Sequence, residues 1–339
     1  MATEEAVNNL MPDDYSSGAR LKGKFGWLLG RLSRQQKQFL STFSGLLLLG
    51  IFFSISSPFF FSVNNILTVA TQTAVIAIIA IGQTYVLITG GIDLSIGSNI
   101  ALSAMVSGLF MRAGVPVPIA ISAGLLTGLL SGAINGTLVA FAKLPPFIAT
   151  LGTMTAARGV AFTLTNGIPI ANLPATFTIF GTGSTWGIPN PVLIMLALVI
   201  IFGFILAKTK LGRHVYATGS NHEAARLSGV NTRRVQLTAY MFSGFLAACA
   251  GLVMAGRIVS AQPASGDGFE LDAVAASVIG GASTMGGEGS IAGTFVGAFI
   301  IGILRNGLNL LGVTPHVQRI IIGAVIVAAV FLDKIKKKD

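Results

Sequence analysis

Charged side chains are scarce in this sequence. Only 10% of its 339 residues are Asp, Glu, Lys or Arg, whereas 53% are hydrophobic. Soluble domains carry about 25% charged residues, so the composition excludes a soluble globular protein. It predicts an all-α integral membrane protein whose core is a set of helices packed within the lipid. Glycine, with 42 residues, is abundant, as is typical of transmembrane helices that pack closely.

Cysteines and catalytic signatures are almost absent as well. The single cysteine, Cys249, lies in an apolar run, so it forms no intramolecular disulfide and is interpreted as a packing group. The three histidines show no metal-ligand spacing, and the sequence from His222 to Arg226 lacks the second histidine of H-E-x-x-H. No G-x-S-x-G motif occurs. The sequence predicts no catalytic residue, no metal site and no bound cofactor.

A phosphate-binding loop is missing despite one partial match. Residues 18–24 fit G-x-x-x-x-G-K, but Phe25 follows where the motif requires Ser or Thr, and no strand precedes it. We interpret the match as accidental. The chain is therefore not expected to hydrolyse ATP itself.

Acidic residues are outnumbered by basic ones, 12 to 22, which gives a net charge of +10. Sixteen of the basic residues form three clusters, at 20–37, 208–234 and 334–338. Such clusters are expected of cytoplasmic flanks under the positive-inside rule, and they argue against nucleic-acid binding. The resulting division is a polar and basic cytoplasmic tail at 1–38, a transmembrane domain at 39–333 and a basic cytoplasmic tail at 334–339.

Long apolar runs are plentiful, and a bilayer-spanning helix needs about 20 apolar residues. The candidate spans are 39–60, 66–88, 94–111, 118–141, 147–165, 192–207, 235–255, 272–282, 291–311 and 317–332. Basic flanks at both termini place both ends in the cytosol, which agrees with an even count of about ten spans. The loops at 166–190 and 257–271 then lie outside, and the basic stretch at 209–234 lies inside.

Two glycine ladders suggest that the chain consists of two weakly related halves. The first ladder comprises Gly124, Gly128, Gly132 and Gly136. In the second, Gly293 and Gly297 repeat the four-residue step and are followed by Gly302 and Gly307. Each ends near an Asn-Gly pair, at Asn135 and Asn306. Small residues four positions apart lie on one face of a helix and let two helix backbones approach closely. The alternative is that the glycines only serve ordinary helix packing and that the halves are unrelated.

Acidic groups at membrane depth are costly and are usually functional or paired. Asp93 lies in TGGIDLSIGS, where two glycines interrupt a helix and Ser95 follows closely. Asp272 occupies a similar place in GDGFELD, together with Glu270. Broken helices with polar ends are a common way to build transporter sites. Simple N-capping at a membrane interface is the alternative for both aspartates.

Three arginines lie within or near the ends of apolar spans: Arg158, Arg305 and Arg319. Their candidate partners are the carboxylates Asp93, Glu270 and Asp272. Such pairs are either structural or related to a substrate, and the sequence leaves both open.

The longest charged stretch between apolar runs is residues 209–234. Its centre predicts a short helix, with Ser220 as N-cap and Glu223 completing an S-x-x-E capping box. Gly229 supplies a C-terminal stop. A two-turn helix is marginal alone in water, so this one is expected to need a partner surface, with a solvated basic loop as the alternative. The glycine-rich segment 280–289 predicts a flexible cytoplasmic turn, in which Glu288 is a candidate docking acid.

Several stretches, in order along the chain, resemble a known family. They are TGGIDLSIGS (89–98), PPFIATLGTMTAARGVAFTLTNGIPI (145–170), LGRHVYATGSNHEAARLSGVN (211–231), SAQPASGDGFELDAVAASVIGGASTMGGEGSIAGT (260–294) and NGLNLLGV (306–313). These sequences are similar to the membrane subunits of bacterial ABC sugar importers, specifically the ribose-type permease family. The resemblance covers most of the chain after the N-terminal tail.

This resemblance implies a ten-helix permease of the inner membrane that works as a dimer, usually of two identical copies. It implies ATPase partner subunits, which bind ATP and magnesium, and a periplasmic binding protein that delivers the sugar. The implied cargo is a monosaccharide, and SAQP and NGLNLLGV favour ribose. The permease itself is then not an enzyme.

Candidate site residues follow from the resemblance and from the broken helices. The helix between spans six and seven becomes a cytoplasmic coupling helix that docks on the ATPase through Asn221, His222, Glu223, Ala224, Ala225, Arg226 and Gly229. Further candidates, which shape the translocation pathway or hold its broken helices, are Asp93, Ser95, Glu270, Asp272 and Asn306.

Two other classes of protein remain as alternatives. An ion-coupled secondary sugar transporter would need several carboxylates within its spans, and this chain offers essentially Asp93. An intramembrane enzyme would need a nucleophile or a metal cluster, and the sequence shows neither.

Overall fold

The computed structural model describes residues 34–336. The predictions for residues 1–33, including the partial phosphate-loop match, and for residues 337–339 lie outside the described part. The helices in the described part are α1 (Arg34–Ser56), α2 (Val63–Ile88), α3 (Ile96–Arg112), α4 (Val117–Ala140), α5 (Pro146–Thr163), α6 (Ala175–Thr182), α7 (Asn190–Lys208), α8 (Lys210–Ser220), α9 (His222–Leu227), α10 (Thr232–Ile258), α11 (Phe269–Ile279), α12 (Ile291–Leu310) and α13 (Pro315–Lys336). Four short strands are β1 (Ile170–Ala171), β2 (Ser184–Thr185), β3 (Ile188–Pro189) and β4 (Ser260–Ala261).

Each predicted span coincides with one of these helices. Among the described residues, six helices are long and apolar enough to cross a membrane by themselves, namely α1, α2, α4, α7, α10 and α12. The remaining predicted spans fall on α3, α5, α11 and α13. The structure therefore confirms an all-α membrane protein, while the count of about ten spans stays a prediction.

The two longest helices, α2 and α10, form the centre of the molecule. Every residue of α2 from 73 to 88 is buried, because α7, α10, α11 and α12 surround it. Helix α10 in turn packs against α3, α4 and α6. Peripheral helices instead expose apolar side chains, such as Leu48 and Ile55 of α1, as is expected of helices that face lipid.

The first glycine ladder is confirmed as a surface of close helix approach. Gly128, Gly132 and Gly136 face α10, and a side chain on any of them would collide with that helix. A Cβ on Gly128 would meet the carbonyl of Gly244, and one on Gly132 would meet the carbonyl of Tyr240. Since α4 belongs to the first predicted half and α10 to the second, this ladder joins the halves.

The second ladder is divided between several partners. Gly293 and Gly297 face α11, whereas Gly302 faces Thr73 of α2 and Gly307 faces α1. Helix α12 therefore packs on α2 of the first half, just as α4 packs on α10 of the second half. In this crossed packing, each half places one of its helices against a central helix of the other half. An origin of the two halves by duplication stays a prediction.

The connecting loops gather on two opposite faces. On one face, β1 and β4 pair antiparallel, with Ile170 opposite Ala261, so they join the loops at 166–190 and 257–271. Helix α6 and the β2–β3 hairpin belong to the first of these loops. On the other face, α8 and the glycine-rich segment 280–289 meet the end of α2. The predicted topology, including which face is cytosolic, stays a prediction.

Candidate coupling segment and buried polar centre

The predicted short helix is present as α9, but its predicted cap is wrong. Ser220 is the last residue of α8, and α9 begins at His222 after Asn221, which has extended backbone. The side-chain oxygen of Asn221 accepts a hydrogen bond from the backbone N–H of Ala224 at 2.9 Å. Ser220 cannot act as the N-cap of α9 because it is itself helical, as the last residue of α8. The next residue, Asn221, has a suitable side chain and takes the capping role.

Helix α9 presents a charged and apolar surface to its surroundings. The guanidinium of Arg226 donates to both carboxylate oxygens of Glu223, at 2.6 and 3.1 Å. This hydrogen bond lowers the pKa of the Glu223 carboxyl below its ordinary value. Leu227 is 75% exposed, whereas Ala225 is buried. An exposed ion pair contributes little to stability, so these side chains remain available for a partner.

Gly229 ends α9 as predicted. Its φ of +85° lies in the left-handed region, which glycine adopts without strain. The N–H of Gly229 donates to the carbonyl of Arg226, and that of Val230 donates to the carbonyl of Ala225, both at 3.0 Å. These bonds satisfy the last carbonyls of the helix and turn the chain towards α10.

The coupling segment, which we define as α8 and α9, is seated directly on the end of α2. A Cβ on Gly219 would overlap the carbonyl of Ile88, the last residue of α2. That carbonyl also accepts a hydrogen bond from the N–H of Gly287 at 2.9 Å. The hydroxyl of Tyr216 donates to the carbonyl of Gly289 at 2.7 Å. The predicted glycine-rich turn therefore contacts both the coupling segment and the end of α2.

A cavity of about 800 Å³ lies between the coupling segment and the turn that joins α4 to α5. Its basic lining consists of Lys143, His222, Arg226 and Arg233, and its carboxylate is Glu223. Because Arg226 already neutralises that carboxylate, the cavity is positively charged overall and complements an acidic surface.

Asp93 is completely buried and hydrogen-bonded through both carboxylate oxygens. Its Oδ1 accepts from the backbone N–H of Ser95 at 2.9 Å and from the Ser95 hydroxyl at 2.6 Å. Its Oδ2 accepts from the Ser243 hydroxyl of α10 at 2.7 Å. A buried carboxyl group requires donors that replace water. These bonds tie the segment between α2 and α3 to the central helix α10.

Asn135 extends the Asp93 network to α4 and α5. Its Nδ2 donates to the hydroxyl of Ser95 at 2.7 Å, and its Oδ1 accepts from the Thr153 hydroxyl at 2.5 Å. Sequence reasoning missed Asn135, Thr153 and Ser243 as members of this network. The usable signal was an amide within an apolar span, because such groups need a partner at membrane depth.

Simple N-capping, the alternative for Asp93 and Asp272, is wrong for both. The N-cap residue of α3 is Ser95, two residues after Asp93. Helix α11 begins at Phe269, directly after Gly268 at φ +81°, so Asp272 already lies in its first turn. Asp93 bonds both to Ser95, at the start of α3, and to Ser243 of α10, whereas Asp272 bonds to Arg305 of α12.

Asp272 pairs with Arg305, one of the pairings considered from the sequence. The guanidinium donates to Oδ2 at 2.5 Å, and the Asp272 side chain is only 1% exposed. The same guanidinium lies over the ring of Phe269, 5.6 Å from its centroid. Removing one partner of such a buried pair would leave an unpaired charge, so the pair fixes α11 against α12.

The other two arginines bind elsewhere. Arg158 donates to the backbone carbonyls of Pro263 and Ser265, at 2.9 and 2.6 Å. Arg319 lies 3.4 Å from the carboxylate of Asp267 in an exposed pair. Among the described residues, neither arginine lies within hydrogen-bond or ion-pair distance of Asp93, Glu270 or Asp272.

The N-terminal ends of α3 and α11 lie against each other. A Cβ on Gly97 would collide with the carboxylate of Glu270 and the carbonyl of Gly266. Both helices follow an interrupted segment, and both point the positive end of their dipole towards this contact. The two broken helices predicted from the sequence are therefore neighbours in space.

Asn306 lies apart from that contact. It exchanges two amide hydrogen bonds with Asn65 of α2, at 2.9 and 3.0 Å. Since Asp93 and Ser95 are fully buried, a role of the predicted pathway residues in translocation stays a prediction.

Replacing Asp93 by alanine is expected to lower folding yield and thermal stability, because Ser95 and Ser243 lose their acceptor. A buried donor that is left without a partner costs about 1–3 kcal/mol, so the loss of these three hydrogen bonds predicts a destabilisation of at least about 3 kcal/mol. Asp93→Asn keeps a carbonyl acceptor and should lie between the parent and Asp93→Ala. Thermal melting of the purified protein measures the order, and a fully stable alanine variant would exclude this structural role.

Comparison with known proteins places the chain in a family. The family described as "Branched-chain amino acid transport system / permease component" matches residues 65–330. The Bacillus subtilis ribose import permease is 47% identical over 302 residues, covering 88% of this chain and 94% of that protein. The Escherichia coli K12 ribose import permease is 42% identical over 326 residues, covering 95% and 98%. The D-allose permease of the same organism is 39% identical, covering 86% and 90%.

No solved structure matches this chain. The helical fold and the family match together define a multi-pass membrane permease of a transport system. The chain belongs to this permease family, within the ribose-type group of ABC permeases.

Proposed function

We propose that this protein is the transmembrane permease of an ATP-driven importer for a monosaccharide, most closely ribose. The observation that carries the proposal is identity of 42–47% to ribose import permeases along most of the chain. Relatives at lower identity are named for allose, fructose and xylose, which keeps the proposed cargo within small sugars.

The proposed assembly follows from the kind of system to which the relatives belong. Two copies of this chain form the membrane unit, with about ten spans each and both termini in the cytosol. Separate ATPase subunits bind ATP and magnesium, and a periplasmic binding protein delivers the sugar. The permease contributes no catalytic residue of its own.

Helix α9 is the proposed coupling helix. Its exposed surface of Glu223, Arg226 and Leu227 suits a groove on the ATPase, and the basic cavity beside it suits an acidic part of that surface. Because α8 rests on the end of α2, a displacement of α9 reaches the central helix through backbone contacts. A two-state rocking of the coupling segment would then connect ATP binding to the pathway.

Co-expression with the ATPase and binding protein tests the proposed function. The complex should purify intact, and its ATP hydrolysis in lipid vesicles should rise when the binding protein carries ribose. If allose or xylose stimulates ATP hydrolysis instead of ribose, the proposed cargo changes, but the protein remains the permease of an ATP-driven sugar importer. Sugar uptake by the permease alone, driven by a proton or sodium gradient, would favour the ion-coupled transporter, which the relatives do not support.

Replacing Glu223 and Arg226 together by alanine is expected to weaken ATPase association and uncouple transport. Both side chains are more than 60% exposed, so their loss leaves the fold of the permease intact. The control is Arg112→Ala, an exposed arginine in the last turn of α3 that lines neither the basic cavity nor any contact of α9. The measurements are pull-down of the ATPase and sugar uptake. If the double variant of Glu223 and Arg226 binds the ATPase and takes up sugar like the parent, α9 does not form the coupling contact.

A further inference from the structure

Two adjoining cavities at the start of α11 have no role in the function described so far. The larger, of about 510 Å³, lies between α11, α12 and α13 and opens beside Asp267 and Arg319, whose side chains are 70% and 73% exposed. The smaller, of about 230 Å³, continues towards α2 and α10. They share the lining residues Phe269, Arg305 and Gln318. These three side chains therefore form a partition between the two cavities.

The partition carries groups that recognise a ligand rich in hydroxyls. Phe269 offers an aromatic ring, on which the C–H face of a sugar ring packs. Arg305 keeps 32% of its side chain exposed, and its hydrogen bond to Asp272 uses Nη2, so other N–H groups of the guanidinium remain for a ligand. Gln318 donates its Nε2 to Asn309 and to the carbonyl of Val313, which leaves its side-chain oxygen as an acceptor.

The charges around the larger cavity favour a neutral ligand. Four of the five charged groups in its lining are already paired, Arg305 with Asp272 at 2.5 Å and Arg319 with Asp267 at 3.4 Å. The fifth, the Glu270 carboxylate, lies against Gly97 of α3. An anion or a cation would have to compete with these pairs, whereas a hydroxyl only adds to them. Pockets for small molecules measure about 300–1,000 Å³ and combine apolar walls with a few placed polar groups. At about 510 Å³, with Ile322 and Ile326 in its wall, the larger cavity fits that description.

We propose that the larger cavity is a binding site for one monosaccharide on the face that carries β1 and β4, with Phe269, Arg305 and Gln318 as its contact residues. The proposal rests on the proposed sugar-import function and names where that sugar first contacts the permease. Asp272 is a positioning residue, because it is 1% exposed and acts by holding Arg305. The partition lies between the bound sugar and the smaller cavity.

A thiol placed in the cavity tests the proposal without relying on transport. A Cβ on Gly323, which lines the larger cavity, would have no atom within 4 Å, so Gly323→Cys fits without collision. The variant is made with Cys249→Ala and studied as the complete complex in lipid nanodiscs. D-ribose at about ten times its Kd should slow the reaction of the thiol with a maleimide about tenfold. Ser184→Cys, on the exposed hairpin, is the control and should react equally with and without ribose.

A second substitution separates specific binding from general protection. Phe269→Leu keeps an apolar side chain but removes the ring, so ribose should no longer protect the thiol of Gly323→Cys. The matched control is Phe295→Leu, since Phe295 packs on Phe299 at 4.9 Å and lines neither cavity. Protection should persist in this control.

Uptake by the parent complex is measured first, with ribose, allose, xylose and fructose, and the sugar taken up becomes the probe. Uptake of none would overturn the sugar-import function itself. Uptake together with an unprotected thiol, or with protection that survives Phe269→Leu, would overturn the proposed site and leave the import function standing.

Discussion

Replacing Gly219 by alanine is expected to uncouple sugar transport from ATP hydrolysis while the permease still inserts and folds. A Cβ at Gly219 would overlap the backbone carbonyl of Ile88, and a backbone atom cannot rotate aside as a side chain does. The coupling segment must therefore shift on the end of α2. Sugar-stimulated ATP hydrolysis of the complex should fall about tenfold or more, because a change of about 1.4 kcal/mol already produces that factor.

Gly203→Ala is the matched control for this experiment. Gly203 lies in α7, where a Cβ would meet Ile291 at an ordinary distance of 3.8 Å. This variant should retain the stimulation of the parent. If Gly219→Ala also retains it, with normal ATPase association, the contact between α8 and α2 does not transmit the signal.

Replacing Gly132 by valine is expected to abolish most of the folded protein. The residue lies at the crossing of α4 and α10, where a Cβ would collide with the carbonyl of Tyr240 and approach the Cα of Met241 to 3.0 Å. Overpacking within a core typically costs about 1–3 kcal/mol, and here the obstructing atoms are backbone, so the cost lies at or above that upper limit. Size-exclusion profiles of the detergent-solubilised protein should show aggregation in place of a single peak.

Gly152→Val in α5 provides the comparison, because a Cβ there would find no atom within 4 Å. Its profile should match that of the parent. A monodisperse, thermally stable Gly132→Val protein would show that α4 and α10 can separate without loss of the fold.

The helical part of the fold was predictable because hydropathy directly reports which segments prefer lipid. The apolar runs at 66–88 and 291–311 coincide with α2 and α12 almost residue by residue. Helix ends were harder to predict, because two adjacent residues can both cap a helix. Ser220 and Asn221 are such a pair, and the extent of α8 decides between them.

The site was predictable only where a residue carries its own signal. Asp93 and Asp272 stood out because carboxylates are rare in apolar sequence, and both are buried and bonded to other helices. Their partners were not predictable as a set. Ser243 is an ordinary small residue of α10, and its contact with Asp93 depends on how helices far apart in sequence are arranged.

The crossed packing of the halves also sets the order in which the molecule can be completed during synthesis. Helix α4 is made before residues 141–231, whereas α10, the surface that its glycines fit, comes only after them. Until α10 enters the bilayer, the groove along α4 lacks its native partner. The first half can thus be inserted as separate helices, but it acquires its native contacts late, and these are distant in sequence. A nascent chain interrupted before α10 exposes an unfilled groove, the kind of defect by which cellular quality control distinguishes incomplete membrane proteins from finished ones.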